Sequence, residues 1–395
     1  MKLAIIAFTN PFVDKSDGGK IDIYNRLLAL NHAKSKIDLY TVLKKDEKSQ
    51  SCQLKNINVY WDKVNNKLKY IFNKYPLSVN NRYSNKLANI MKKNIYDLTI
   101  FENANMIKYL DNKNIMSKIN YIRIHNIESS YRKDTFISSF PKVTSFLEGI
   151  EGIKYKNIER RYIDKFNKFL FISKDEQDKY IDLFPKCKDK FIWVPPVIKC
   201  EENIDYRIIK DNIILFYGDM TISHNLEGIR WFCKKVFPNI LNKNSKVILN
   251  IVGKISPDNK QYLSKICNSI NVLGYVDDID KTISEASMVI APIFHGAGVK
   301  IKVLHALSKG KIIVATEKAI EGTYLKDGEH LFLGENPEEF TQMCLSILSD
   351  IKKYLFASKN AVRYLKDKHS IASQSQLLYS LYEEDKEKLN IISPD

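Results

Sequence analysis

The chain lacks paired cysteines, long apolar runs and the short motifs of several common enzyme classes. Its six cysteines, Cys52, Cys187, Cys200, Cys233, Cys267 and Cys344, are scattered, and no Cys-x-x-Cys pair occurs. That excludes a zinc-cluster or dithiol motif and fits a reducing compartment. The apolar opening, residues 1–8, breaks at Thr9-Asn10-Pro11. It is too short to span a bilayer and no small-residue cleavage site follows, so a soluble or peripheral cytoplasmic protein is expected. The histidines show no metal-ligand spacing and the carboxylates do not cluster, so neither a metal nor a cofactor is expected. No Gly-x-x-x-x-Gly-Lys-Ser/Thr loop, no Gly-x-Ser-x-Gly elbow and no Gly-x-Gly-x-x-Gly after the first strand is present.

What is present is size, charge and a repeated pattern. At 395 residues the chain exceeds one ordinary core, which predicts two domains. Hydrophobic residues at 44% and charged residues at 27% indicate a globular chain rather than a disordered one. The net charge of +16 is unevenly placed. Residues 1–200 hold 37 Lys and Arg against 21 Asp and Glu, whereas residues 201–395 hold 25 of each. A basic first half beside a neutral second half points to an anionic partner: a lipid surface, a phosphorylated acceptor or nucleic acid. A lysine-rich proteome is the plainer alternative, but it leaves the asymmetry unexplained.

Short apolar runs at 3–8, 37–42, 98–101, 121–124 and 169–173 alternate with amphipathic stretches such as 21–30 and 175–183. This is the pattern of a parallel sheet with helices on both faces. It halts at Pro195-Pro196, where neither a helix nor a central strand can continue. A polar segment, 199–212, reads as a linker. Runs at 213–217, 247–252, 270–273, 288–291, 312–316 and 331–333 then open a second series, with helices expected at 226–237, 258–269, 279–286 and 301–309. The fold class is therefore α/β, with two doubly wound Rossmann-like domains facing across a cleft. The domains are 1–198 and 199–370, and a C-terminal helix, 371–391, is expected to pack back on the first. Open parallel sheets bind ligands beyond the carboxyl ends of their strands.

The segment richest in chemistry runs from Ala291-Pro292 through His295, Gly296, Ala297, Gly298, Val299 and Lys300 into a helix with Lys302 and His305. Gly296 and Gly298 allow close backbone approach to a ligand. The helix start offers free amides and a positive dipole end, which suits pyrophosphate. On its own such a loop is more often an ordinary turn. His125, at the end of an apolar strand, is either a structural histidine or a group that orients hydroxyls and shares a proton. Glu128 could orient His125, help bind an acceptor, or merely cap a helix.

A resemblance narrows these alternatives. Residues 213–350 resemble the C-terminal domain of family 4 glycosyltransferases, retaining enzymes of the GT-B type. The matching words are Leu215-Phe216-Tyr217-Gly218-Asp219, Asn225, Trp231-Phe232, Ile251-Val252-Gly253, Gly274-Tyr275-Val276, the glycine loop and Gly310-Lys311-Ile312-Ile313-Val314. The first half is similar at Asp17-Gly18-Gly19, His125-Asn126-Ile127-Glu128 and Phe171-Ile172-Ser173.

The resemblance implies a nucleotide-sugar donor held by Gly18, Gly19, Gly218, Gly253, Tyr275, Val276, His295, Gly296, Ala297, Gly298, Val299, Lys302 and His305. It implies catalytic roles for His125, Glu128 and Lys300. His295 and His305 stand where the family usually has two glutamates, the later of which binds the ribose. A neutral imidazole accepts a hydrogen bond less strongly than a carboxylate does.

The expected activity is transfer of a sugar onto a glycan or lipid-linked acceptor, without a metal, in capsule or O-antigen synthesis at the inner face of the cell membrane. The basic first half would meet an anionic membrane surface, with Trp61, Tyr70, Ile71 and Phe72 as anchors, unless 68–72 is a helix packing inward. A non-catalytic partner subunit and a nucleotide-sugar epimerase are the rival readings. Nucleic acid is disfavoured because no reading module is evident.

Overall fold

The structure, a computed structural model, describes residues 1–12, 18–32, 35–43, 54–64, 72–113, 116–139 and 143–392. The chain divides into two compact units. Unit 1 is Met1–Val197 with Ile371–Asp395, and unit 2 is Ile198–Ser370.

Unit 1 carries strands β1 (Lys2–Ala7), β2 (Lys36–Leu43), β3 (Ile57–Lys63), β4 (Ile95–Phe101), β5 (Met116–Ile124), β6 (Lys168–Phe171) and β7 (Phe191–Trp193). Its helices before unit 2 are α1 (Gly18–His32), α2 (Leu77–Asn81), α3 (Asn85–Met91), α4 (Glu128–Ser139), α5 (Val143–Tyr162) and α6 (Lys174–Leu183). Among the described residues its sheet has the order β3-β2-β1-β4-β5-β6-β7, with every pair parallel. A parallel sheet is covered on both faces, so its strands can be apolar throughout. Residues 3–7 of β1 and all of β6 are accordingly buried.

Unit 2 carries β8 (Ile213–Tyr217), β9 (Ile248–Val252), β10 (Ile270–Gly274), β11 (Met288–Ala291), β12 (Ile313–Ala315) and β13 (Phe332–Leu333). Its helices are α7 (Ser223–Trp231), α8 (Phe237–Lys243), α9 (Pro257–Ser264), α10 (Ile279–Glu285), α11 (Ile301–Ser308), α12 (Glu317–Ile320), α13 (Pro337–Ser349) and α14 (Ile351–Lys368). The sheet order is β10-β9-β8-β11-β12-β13, again parallel. Helix starts are set by local chemistry. Ser256, Asp278 and Asn336 each accept a hydrogen bond from a first-turn amide, and proline follows two of them.

The chain then returns to unit 1 as α15 (Ile371–Ile392). Leu378, Leu381 and Tyr382 pack with Ile23, Leu27 and Leu30 of α1. The Tyr121 hydroxyl of β5 donates to the Leu381 carbonyl at 2.8 Å and to Asp385 at 2.9 Å. Lys168 of β6 pairs with Glu384 and Asp385.

Four expectations change. The segment 199–212 is not a free linker, because its polar backbone is spent on unit 2. Glu201 donates to the Ser308 carbonyl, Lys210 to that of Glu285, and the Tyr206 hydroxyl bonds Ser358. The helix expected at 226–237 is interrupted by a π turn, Phe232–Val236. Pro238 has no N–H to return to the preceding turn, so the winding changes just before it. Strands β3 and β7 were not anticipated. Gly18 and Gly19, where the resemblance implies a loop beside the donor diphosphate, lie in the first turn of α1. Asp17, Tyr70 and Ile71 lie outside the described residues. Among those described, no helix is long and apolar enough to cross a membrane.

Each strand order reverses once, between β1 and β4 in unit 1 and between β8 and β11 in unit 2. Chain leaving neighbouring strands there turns to opposite faces and opens a crevice. In unit 2 the crevice is made by close packing of α7 on the β11 exit. A Cβ on Gly228 would lie 1.7 Å from the Pro292 carbonyl oxygen. Gly228→Ala is expected to destabilise the protein by about 1–3 kcal/mol through overpacking. Gly274→Ala, where a Cβ meets nothing within 4 Å, should cost only its backbone strain at φ 74°. Thermal melts of the two variants, with Gly228→Ala the lower, check this.

Candidate active site

In unit 2 the crevice is floored by backbone. Gly218 follows β8 at φ 151°, and its N–H donates to the Val252 carbonyl at 3.0 Å. Gly253 follows β9 at φ 125° and donates to the Gly274 carbonyl at 2.7 Å. A Cβ on Gly253 would sit 2.0 Å from the Gly218 oxygen, so only glycine fits. Beyond β11 the glycine loop leads into α11, with Gly296 at φ 101° and Gly298 at φ 77°. The His224 ring covers Gly296, and its Nδ1 would be 2.9 Å from a Cβ there.

Two lysines belong to this loop and helix. The Lys300 ammonium donates to the carbonyls of Gly296 (3.0 Å), Ala297 (3.1 Å) and Gly298 (2.7 Å). An ammonium has three donors, so Lys300 is saturated by the loop whose shape it fixes. The catalytic role that the resemblance implies for Lys300 falls on a side chain turned back onto the loop. Burial brings its pKa down to about 8.

Lys302 is differently placed. Its ammonium donates to Asn225 Oδ1 at 2.7 Å, lies 4.6 Å from the Phe216 ring centroid, and is close to Gly218. Burial, then the charge of Lys300, pushes its pKa down to about 7. Among the described residues no carboxylate pairs with it. His224 is lowered to about 4 by burial and by Lys300, Lys302 and His295. Burial is the first cause for all three groups, with the charge of Lys300 acting on Lys302 and both lysines acting on His224.

The remaining donor-side residues are more dispersed. His295 is half-exposed, 3.7 Å from Glu227 and edge-on to His224. Ala297 is exposed, and Val299 packs inward against the β11–α11 core. Tyr275, just beyond β10, is 83% exposed and free to lie against a flat ligand, whereas Val276 is partly buried. His305 sits on the side of α11 toward α10. Its Nε2 is 2.9 Å from Asp280 and its Nδ1 is 3.3 Å from the Tyr217 hydroxyl. Both ring nitrogens are occupied by the protein. Asp280, which also binds Lys309, is held well below the usual carboxylate range, chiefly by the His305 hydrogen bond.

In unit 1, His125 leaves the end of β5 beside the β1–β4 reversal, its ring edge-on to Phe8 with centroids 5.8 Å apart. The Glu102 carbonyl accepts from the ring, and Nε2 is buried without a partner among the described residues. Nδ1 therefore carries the proton, and Nε2 presents a lone pair. Burial, seconded by Arg123 and Arg26, lowers the pKa to about 4.

Behind the ring lies a buried ionic cluster that the sequence reading missed. Asp22 of α1 pairs with Arg26 at 2.6 Å and with Arg123 of β5 at 3.2 Å, and Arg26 reaches Glu102 at 2.8 Å. The only sequence signal was charge inside apolar stretches, at Arg123 within β5 and at Asp22 and Arg26 one helical turn apart. Glu128, the first residue of α4, is buried, 3.7 Å from Arg132 and bonded to Asn103; burial pushes its pKa up. Asn225 appears in the sequence only among the matching words, and His224 carries no sequence signal of a role in the site. Among the described residues no group of three or more His, Cys, Asp or Glu could hold a metal.

Comparison with known proteins adds the following. Residues 211–350 match the family model described as Glycosyl transferases group 1. A 44.6 kDa protein in the cps region of Klebsiella pneumoniae is 27% identical over 387 residues, covering 93% of this chain and 96% of that one. Anabaena HepE, solved in complex with UDP-glucose, superposes with a TM-score of 0.60, with 13% identity over 97% of this chain and 100% of that one. WaaG, a glycosyltransferase involved in lipopolysaccharide biosynthesis, has a TM-score of 0.61 at 16% identity over 100% of both chains. The fold is GT-B. Its two Rossmann-like α/β domains correspond to units 1 and 2.

His125 gives a prediction of sign. The unfolded chain binds this proton near pH 6.5 and the folded chain only near 4. Its stabilising contribution is therefore complete above pH 6.5 and is lost as pH falls through 4. Against wild type, His125→Asn should show a shallower fall in melting temperature between pH 7 and 4.5. Parallel curves would remove His125 from the buried, neutral state described.

Proposed function

We propose that this chain is a glycosyltransferase that moves a sugar from a nucleoside-diphosphate sugar onto a glycan or lipid-linked acceptor in bacterial surface-polysaccharide synthesis. The observation that carries the reading is the cationic crevice of unit 2. Lys302, Lys300 and His224 gather around a glycine loop, at the strand-order reversal and at the start of α11. A diphosphate supplies the negative charge this cluster wants. Loop amides and Lys302 would meet its oxygens, while Lys300 keeps the loop open. The cps-region relative and the polysaccharide setting of WaaG support the pathway class.

In the reaction the anomeric carbon–oxygen bond to the diphosphate breaks and the bonding pair leaves with the phosphate oxygen. The acceptor hydroxyl bonds the anomeric carbon and surrenders its proton to that oxygen, on the same face, which retains configuration. Charge developing on the phosphate is stabilised by the preorganised cations and amides without a metal. His125 accepts from a sugar hydroxyl through Nε2. Glu128, buried and with its pKa pushed up by burial, orders the acceptor side. The setting is the inner face of the cell membrane, where the excess positive charge of residues 1–200 favours an anionic surface.

A second reading has its own observation. His305, where related enzymes use a glutamate toward the ribose, is tied to Asp280 and Tyr217. A chain that never engages the ribose would be a non-catalytic partner subunit. Thermal stabilisation by UDP-, GDP- and dTDP-glucose separates the two, because a ligand specific to the folded state raises the melting temperature. Stabilisation by one nucleotide class is expected, unchanged by a chelator. Lys302→Met should weaken it about 10- to 100-fold, the worth of a hydrogen bond to a charged group, roughly 1.5–3 kcal/mol. No stabilisation by any of them at saturating ligand moves the assignment to the partner subunit.

A further inference from the structure

Unit 1 holds an arginine whose charge the fold does not answer. Arg82 ends α2, and its carbonyl accepts from the Tyr109 hydroxyl at 3.0 Å. Its guanidinium is half-buried and makes one long hydrogen bond, from Nη1 to the Ser78 carbonyl at 3.4 Å. A guanidinium carries five N–H donors in a fixed fork. Among the described residues no carboxylate forms an ion pair with it. Burial lowers its pKa, Tyr155 and Glu128 oppose that, and the charge of Arg132 adds to it.

The carboxylates nearby are engaged elsewhere. Arg132 of α4 lies 5.8 Å from the Tyr155 ring centroid, donates to Glu148 at 2.6 Å and stands 3.7 Å from Glu128. Glu128 is buried and bonded to Asn103. Glu151 of α5 accepts from the Leu77 amide at 2.6 Å and pairs with Lys154. Glu159 accepts from Ser129.

The position of Arg82 is fixed. The Leu77–Glu151 bond pins the start of α2 to α5, and the Ser78 and Tyr155 hydroxyls bond each other. Tyr155 donates in turn to Asn105, beyond the end of β4. The place is also informative. The Glu102 carbonyl holds the His125 ring, the next residue, Asn103, bonds Glu128, and Glu128 is near Arg82. Polar groups thus run without a break from His125 to Arg82, beyond the carboxyl ends of β4 and β5, where open parallel sheets take their ligands.

A desolvated fork without a counterion, beside a histidine that meets sugar hydroxyls, is completed by negative charge on the ligand. A neutral sugar could accept its N–H bonds but would leave its charge unanswered. A carboxylate or a phosphate accepts two parallel N–H bonds from such a fork.

We infer that Arg82 binds the acceptor, and that the acceptor carries an anionic oxygen group, carboxylate or phosphate, on or next to the sugar that receives the transfer. The inference rests on the glycosyltransferase reading and names its acceptor class. Binding of methyl glucuronide, glucose 6-phosphate and the neutral methyl glucoside to the full chain is measured by titration calorimetry. At least one of the two anions is expected to bind roughly tenfold or more tighter than the neutral sugar, the worth of a charged hydrogen bond. Which of them does so tells an acidic sugar from a phosphorylated one.

Arg82→Met should erase that preference, and Arg82→Lys, which keeps the charge but not the fork, should retain part of it. Melting temperatures show that both variants are folded. Nucleotide-sugar stabilisation, read on the same proteins, reports the donor site of unit 2. Its absence from wild type counts against the glycosyltransferase reading, whereas the anion preference is judged separately. No preference for either anion in wild type, or a preference that Arg82→Met keeps, overturns the inference.

Discussion

A parallel sheet that grows outward in both directions from an internal strand must leave an uncovered crevice where its order reverses. Both units of this protein are subject to that constraint, and their unusual chemistry collects at the two reversals. Between β8 and β11 stand the glycines whose side chains would collide with backbone, along with two lysines and a histidine whose proton affinity is lowered chiefly by burial. Between β1 and β4 stand Phe8, Glu102 and the buried ion cluster that backs His125. Elsewhere the sheets are filled with Ile, Leu, Val and Phe, as a twice-covered sheet allows.

The two reversals solve opposite electrostatic problems. In unit 1, two arginines and two carboxylates are removed from water together, so the cluster closes on itself. Cutting one member would leave a bare buried charge, typically worth 3–5 kcal/mol. In unit 2, among the described residues, no carboxylate pairs with Lys302, whose ammonium is held by Asn225 alone.

Much of this was legible in the sequence, and the parts that were not share a cause. The glycine loop, its helix and the strands on either side are local, and strand–glycine–helix order shows in a few consecutive residues. His125 could be singled out because it ends an apolar run. Asp22, Arg26, Glu102 and Arg123 are spread over a hundred positions, and each alone looks like an ordinary charged residue. Only the sheet order brings α1 against β4 and β5.

The aim of Lys300 was likewise hidden. Spacing places a lysine at the mouth of the helix, but not whether its ammonium turns outward or back onto three carbonyls. The resemblance gives His305 a ribose role, while its ties to Asp280 and Tyr217 depend on how α10 packs beside α11. Residues 199–212 looked like a linker because they are polar, and polarity does not tell whether backbone partners await.

The return of α15 to unit 1 bears on how the chain acquires its shape during synthesis. Unit 2 is an insertion within unit 1, and all its strands emerge before the helix that completes the first unit. Until residues 371–392 appear, Ile23, Leu27 and Leu30 lack their cover, and the Tyr121 hydroxyl lacks both of its acceptors. At 5–20 residues per second, making everything after Val197 takes roughly 10–40 s. Through that interval the earlier-made unit stays incomplete while the later-made one can finish, so the order of maturation is the reverse of the order of translation.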